Sequence, residues 1–174
     1  MSNDNRTVRR AGLGMMLLFW MLFIGAGTWW FHGYLESQRN PNAHLVNAAE
    51  GESAVTLERN RAGHFLATGR INGEPVEFLL DTGATYVAVS SELAERLSLE
   101  ATGSAWFNTA NGRVRGDLTT LDEVSLGGFS VQEVRGSISP GLEGDVALLG
   151  MSFLNRFDIE IRDARMVLHP ARSN

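Results

Sequence analysis

The segment Phe78-Leu79-Leu80-Asp81-Thr82-Gly83-Ala84-Thr85-Tyr86-Val87-Ala88-Val89 places one carboxylate between two apolar runs. An acid in such surroundings is costly unless it is paired or hydrogen-bonded. Two roles suit it. Asp81 can close a turn on its own backbone, helped by Thr82 and Gly83, or its carboxylate can serve as a general acid or base. Other chemistries fail on inventory. With no cysteine there is no thiol nucleophile, thiolate zinc site or disulfide. All 15 basic residues are Arg, which removes lysine Schiff bases and a P-loop lysine. His32, His44, His64 and His169 lack metal-ligand spacing. Gly150-Met151-Ser152-Phe153-Leu154 starts like a nucleophile elbow but lacks the final Gly, so Ser152 reads as a helix-start residue. Asp158, Glu160 and Asp163 alternate with Ile159 and Ile161 as the outer face of a strand does, rather than forming a metal cluster. Neither a metal nor a cofactor is expected. A formal charge of −5 also disfavours nucleic acid as a partner.

The elements that must position Asp81 are short strands separated by Gly-marked turns. His64 to Ile71, Asn72-Gly73 and Val76 to Leu80 read as a hairpin with a type I′ turn, delivering Asp81 at its end. Pro75 stands at a strand start, where its missing N–H does little harm. Ser90 or Ser91 can cap a short helix reaching Leu97. A second hairpin runs from Trp106 through Thr109-Ala110-Asn111-Gly112 to Val114, and a third turns at Gly127-Gly128. The apolar run Val146 to Leu149 reaches Gly150, a helix is expected over Met151 to Phe157, and a last hairpin turns at Asp163-Ala164. Hairpin, apolar strand, Gly turn and short helix thus occur twice, around Gly83 and around Gly150. Many short strands with one or two short helices predict an all-β closed barrel or sandwich over residues 53–174.

These motifs, in this order, resemble the retropepsin-like aspartic proteases, and more narrowly their membrane-anchored bacterial members. The match covers roughly Val55 to Leu168: Asp81-Thr82-Gly83 after an apolar strand, the hairpin at Thr109-Ala110-Asn111-Gly112, and Leu148-Leu149-Gly150 before a late helix. The resemblance implies a closed β-barrel and a homodimer in which each chain supplies one catalytic Asp81. It gives Thr82 a hydrogen bond across the dimer, Gly83, Ala84 and Thr85 the shape of the loop, and Leu148, Leu149 and Gly150 its support. The hairpin becomes a flap over a peptide or protein substrate. The flap departs from the family in lacking the repeated glycines of viral enzymes. The rival expectation is a binding or scaffold module that keeps this fold without hydrolysis.

Residues Ala11 to Phe31 carry no charge. As a helix they would span about 31 Å, enough to cross a bilayer's hydrocarbon core. Arg6, Arg9 and Arg10 precede the run, so the positive-inside rule puts residues 1–10 in the cytoplasm. The expected organisation is a transmembrane anchor at 11–31, a linker at 32–52 and a domain outside the cytoplasm, in the periplasm of a bacterial inner membrane. A signal peptide would carry a shorter apolar region ending in small residues. The polar stretch Glu36 to Glu52 reads as a tether.

Overall fold

The structure is a computed structural model that describes residues 4–49, 51, 53–109 and 112–171 of the chain. The chain divides into two compact units, one ending at Gln38 and the other beginning at Arg39. In the first, helix α1 (Asp4–Arg39) carries the apolar run, and its side chains from Gly12 to Ser37 are exposed. Gly12–Arg39 is long and apolar enough to cross a membrane. The helix continues past Phe31; Trp30 stacks on Tyr34 one turn later, with ring centroids 5.9 Å apart.

Among the described residues, the second unit is built from ten strands. Seven of them, β2 (Leu66–Ile71), β3 (Glu74–Leu80), β4 (Val87–Val89), β5 (Gly103–Thr109), β6 (Gly112–Leu126), β7 (Phe129–Ile138) and β8 (Val146–Leu149), form one sheet in the order β2-β3-β8-β4-β7-β6-β5. Arg70 and Ile71 of β2 also pair with Ser125 and Val124 of β6, which closes the sheet into a barrel and leaves β5 as a flange. Closure requires a close approach at Gly69: a Cβ there would lie 2.2 Å from the Ser125 carbonyl oxygen. A side chain at this position would hold the two strands apart. The remaining strands, β1 (Val55–Glu58), β9 (Phe157–Arg162) and β10 (Arg165–Pro170), make a second sheet in the order β1-β10-β9. Phe78, Leu121, Leu126, Leu149, Phe153 and Leu168 are among the side chains that fill the interior.

Local signals explain much of this. Asn72 and Gly73 both take positive φ, 50° and 84°, as a type I′ turn requires. Helix α2 (Ser91–Arg96) starts at Ser90, whose hydroxyl accepts the Leu93 N–H at 3.0 Å. Two expectations are corrected. The late helix α3 covers only Met151–Leu154, because Phe157 is drawn into β9, where it pairs with Pro170 and packs on Phe153 and Phe129. The strands expected around Val114 and at Leu121 to Leu126 are one continuous strand, β6, whose outer half carries the hairpin and whose inner half is barrel wall.

The polar stretch read as a tether also differs, since its first part is built into the domain. Asn40 and Asn42 are buried to 4% and 1% exposure. The Asn42 amide donates to the carbonyls of Glu58 and Leu66, both at 2.8 Å, and its oxygen accepts the Glu58 N–H at 2.7 Å. Asn40 donates to Thr68 Oγ1 and Glu77 Oε1, and Arg39 pairs with Glu77. A 3₁₀ turn over Ala43–Asn47 then buries Leu45 in the core. Polar composition suggested solvent; here the polar atoms instead satisfy backbone groups of Glu58 and Leu66 on the edges of β1 and β2 that face away from their partners β10 and β3.

Candidate active site

Asp81 leaves the end of β3 half-buried, as the chain turns sharply. Its carboxylate Oδ1 accepts the Gly83 N–H at 2.8 Å, and its carbonyl accepts the Ala84 N–H at 3.2 Å. These bonds fold residues 81–84 into a tight turn. The turn reading and the chemical reading of Asp81 are compatible, since the turn uses only Oδ1 of the carboxylate. Thr82 and Gly83 are exposed in the single chain, while Ala84 is half-buried beneath them and Thr85 is exposed.

The second motif supports the first from behind. Strands β3 and β8 are parallel neighbours, with Leu79 opposite Leu148 and Leu80 opposite Leu149. The Asp81 N–H donates to the Leu149 carbonyl at 3.2 Å. Beyond Gly150, the N–H groups of Met151 and Ser152 donate to the carbonyls of Ala84 and Thr85 at 2.8 and 2.9 Å. The internal echo in the sequence thus appears as two strand–turn units laid side by side and bonded through their turns. Gly150 sits where they meet. An added Cβ would come within 2.2 Å of the Tyr86 carbonyl oxygen and 2.7 Å of that of Ala84.

Sequence reasoning missed a third support. Ser152, read as a helix-start residue, accepts the Val87 N–H at 3.0 Å and donates to the Arg135 carbonyl at 2.7 Å. It joins the end of the loop to β7, between parallel strands whose adjacency no local pattern announces. Tyr86 and Phe107 were missed as well. Their rings meet edge-on with centroids 6.1 Å apart, linking the loop to the hairpin. The adjacent aromatics Trp106 and Phe107 were the available signal, but the partner Tyr86 lies in the distant Asp81 loop.

Of the hairpin residues expected as a flap, Thr109 pairs with Gly112 across the β5–β6 ladder, and Gly112 has φ 111°. The tip residues Ala110 and Asn111 lie outside the described residues. Among the described residues, no three His, Asp or Glu side chains come together to hold a metal.

Comparison with known proteins agrees with this geometry. A family model described as gag-polyprotein putative aspartyl protease matches residues 67–156, which includes Asp81 and Gly150. The chain is 31% identical over 120 residues to an uncharacterized protein in the cobV 5′ region of a Sinorhizobium species, covering 67% of this chain and 52% of that one. It is 30% identical over 106 residues to an uncharacterized protein of Rickettsia prowazekii (strain Madrid E), covering 59% of this chain and 45% of that one. The chain thus spans about half the length of the curated relatives it matches. Among solved structures, a retropepsin-like aspartic protease from Rickettsia conorii aligns with a TM-score of 0.57 and 31% identity, covering 68% of this chain and 100% of that one.

Proposed function

Because the chain belongs to the retropepsin-like aspartic protease family, we propose that it is a membrane-anchored aspartic endopeptidase. In this reading its Asp81 forms a catalytic dyad with the Asp81 of a second copy. The observation that carries the proposal is the loop itself. Asp81 is held by the Gly83 N–H at the end of an apolar strand, in a chain with one Asp-Thr-Gly and a partly exposed acid.

One such loop gives half a site. Two carboxylates about 3 Å apart would repel by roughly 5 kcal/mol if both were ionised at an effective dielectric near 20. The pair therefore holds one proton between them, as is general for aspartic proteases. The ionised member removes a proton from a water lodged between the two acids. The resulting hydroxide attacks the scissile carbonyl while the protonated member donates to its oxygen. The tetrahedral species then collapses, the C–N bond breaks and the amine leaves with a proton. No covalent enzyme intermediate forms. Thr82, exposed in the single chain, is positioned to bond across the dimer, and Leu148, Leu149 and Gly150 hold the loop in place. The hairpin around Gly112 covers the substrate.

The Arg cluster in the first turns of helix α1, ahead of its apolar run, supports a cytoplasmic N-terminus, with the barrel in the periplasm. The discriminating experiment is cleavage of a peptide library by the full chain in detergent, beside an Asp81→Ala control. Cleavage that disappears in the control supports the endopeptidase. Retention of peptides with no cleavage by either protein favours the non-catalytic binding module.

A further inference from the structure

Arg39, Arg96, Arg162 and Arg165 each pair with a carboxylate. Arg113 and Arg115, on the outer half of β6, do not: among the described residues neither forms an ion pair. Both are instead held by neutral partners. The Arg113 guanidinium lies over the Trp106 ring at 5.0 Å, and Arg115 donates to Ser104 Oγ at 3.0 Å. A guanidinium that is positioned but lacks a counter-ion keeps its charge and most of its donors for another acceptor.

Strand alternation gathers these groups on one face of the hairpin. Trp106 stands opposite Arg115, and Ser104 opposite Asp117. Ser104, Trp106, Arg113, Arg115 and Asp117 are all exposed, whereas Ala105, Phe107, Val114 and Gly116 between them are buried or half-buried. Strand β5 is the last of its sheet, so no further strand extends the flange. Among the described residues of the second unit, Trp106 at 59% and Ile161 at 50% are the exposed large apolar side chains.

From this geometry we infer that the outer face of the β5–β6 hairpin docks an acidic segment of a partner protein, taken up in extended form with Asp or Glu at alternate positions. Arg113 and Arg115 are two residues apart on one strand, a separation of about 6.5–7 Å. Alternate side chains of an extended peptide have the same spacing, so two carboxylates can meet the two guanidinium groups in register. The Trp106 ring beside them offers apolar area to the CH₂ groups of the acidic side chains. Asp117 favours this partner over an anionic membrane surface. It continues the same row one step beyond Arg115. A plane of headgroups would press negative charge on Asp117 as well as on the arginines, whereas a peptide can place a neutral residue there. The inference goes beyond the peptidase reading and does not depend on it, because it involves no reacting group.

The test uses the full chain in detergent, carrying Asp81→Asn so that a bound peptide stays intact. Trp20, Trp29 and Trp30 lie in helix α1; replacing them with Phe leaves Trp106 as the only indole, and its emission then reports on the hairpin face. A short peptide with Glu at alternate positions should change that emission saturably, and its counterpart with Lys should not. Binding should weaken about five- to tenfold when Arg113→Gln and Arg115→Gln are combined, and by a similar factor in about 0.5 M salt. Asp117→Asn should tighten it. Arg113→Glu with Arg115→Glu should turn the preference towards the Lys peptide, a gain that loss of folding cannot imitate. The inference is overturned if Trp106 emission ignores the Glu peptide, or if binding is unchanged in both double variants. In nanodiscs containing brominated phosphatidylglycerol, quenching of Trp106 without any response to the peptide would assign the face to the membrane and overturn it equally.

Discussion

Gly150→Ala adds one methyl group at the point where the two strand–turn units meet. Its Cβ would sit 2.2 Å from the Tyr86 carbonyl oxygen, 2.7 Å from the Ala84 carbonyl oxygen and 2.8 Å from the Tyr86 carbonyl carbon. All three are backbone atoms, so no side-chain rotation relieves the contact. Restoring an ordinary separation requires the Ala84–Tyr86 backbone to retreat by about 1 Å, given that carbon–oxygen contacts settle near 3.3 Å. That segment is tied by three bonds: Met151 N–H to Ala84, Ser152 N–H to Thr85, and Val87 N–H to Ser152 Oγ, at 2.8, 2.9 and 3.0 Å. Each is worth about 1 kcal/mol net, so weakening all three costs roughly 2–4 kcal/mol. For a domain of this size that corresponds to a fall in Tm of about 5–15 °C. The same retreat moves the loop that holds Asp81, and a shift of about 1 Å at a reacting group can cost on the order of a hundredfold in rate. Thermal unfolding of the full chain in detergent, followed by near-UV circular dichroism, gives the first quantity. Cleavage of a peptide found in the library screen gives the second. A variant within about 0.5 kcal/mol of the parent in stability, with an unchanged cleavage rate, would refute the account of Gly150 as the joint of the site.

Four further outcomes are expected. Co-expressing Asp81→Asn with the parent chain at equal amounts should leave about a quarter of the activity, since random pairing leaves about a quarter of dimers with both acids; a linear decline with mutant fraction would contradict a dyad shared by two chains. Asn42→Ala removes three bonds made by a nearly fully buried side chain and should cost about 2–4 kcal/mol in thermal or denaturant unfolding, whereas a free tether predicts no change. Gly112, at φ 111°, should tolerate Val poorly; turnover should fall well beyond any loss of Tm, and equal loss of both would argue against a mobile flap. A reporter active only outside the cytoplasm should function when fused after Asn174, and activity of a cytoplasm-only reporter there would reverse the topology.

The turn that carries Asp81 was legible in the sequence because its geometry is local. Asp81, Thr82 and Gly83 are neighbours, and the bond from Gly83 N–H to Asp81 Oδ1 spans two residues. The same holds for the Asn72-Gly73 turn, the Ser90 cap and the apolar helix, since turn chemistry, capping and hydropathy are properties of short windows. What the sequence could not state is which distant groups complete one another. The parallel pairing of β3 with β8, the clash that makes Gly150 obligatory, and the bond from Val87 N–H to Ser152 each join residues more than 60 positions apart. Asn42 shows the same limit from the opposite side. By composition it belonged to a solvated tether, and only the folded barrel supplies the unpaired carbonyls of Glu58 and Leu66 and the Glu58 N–H that draw it inside. A buried backbone group must find a partner wherever the fold leaves it exposed. Which side chain meets that need is decided by tertiary packing, because no local pattern records where a strand will lack a neighbour.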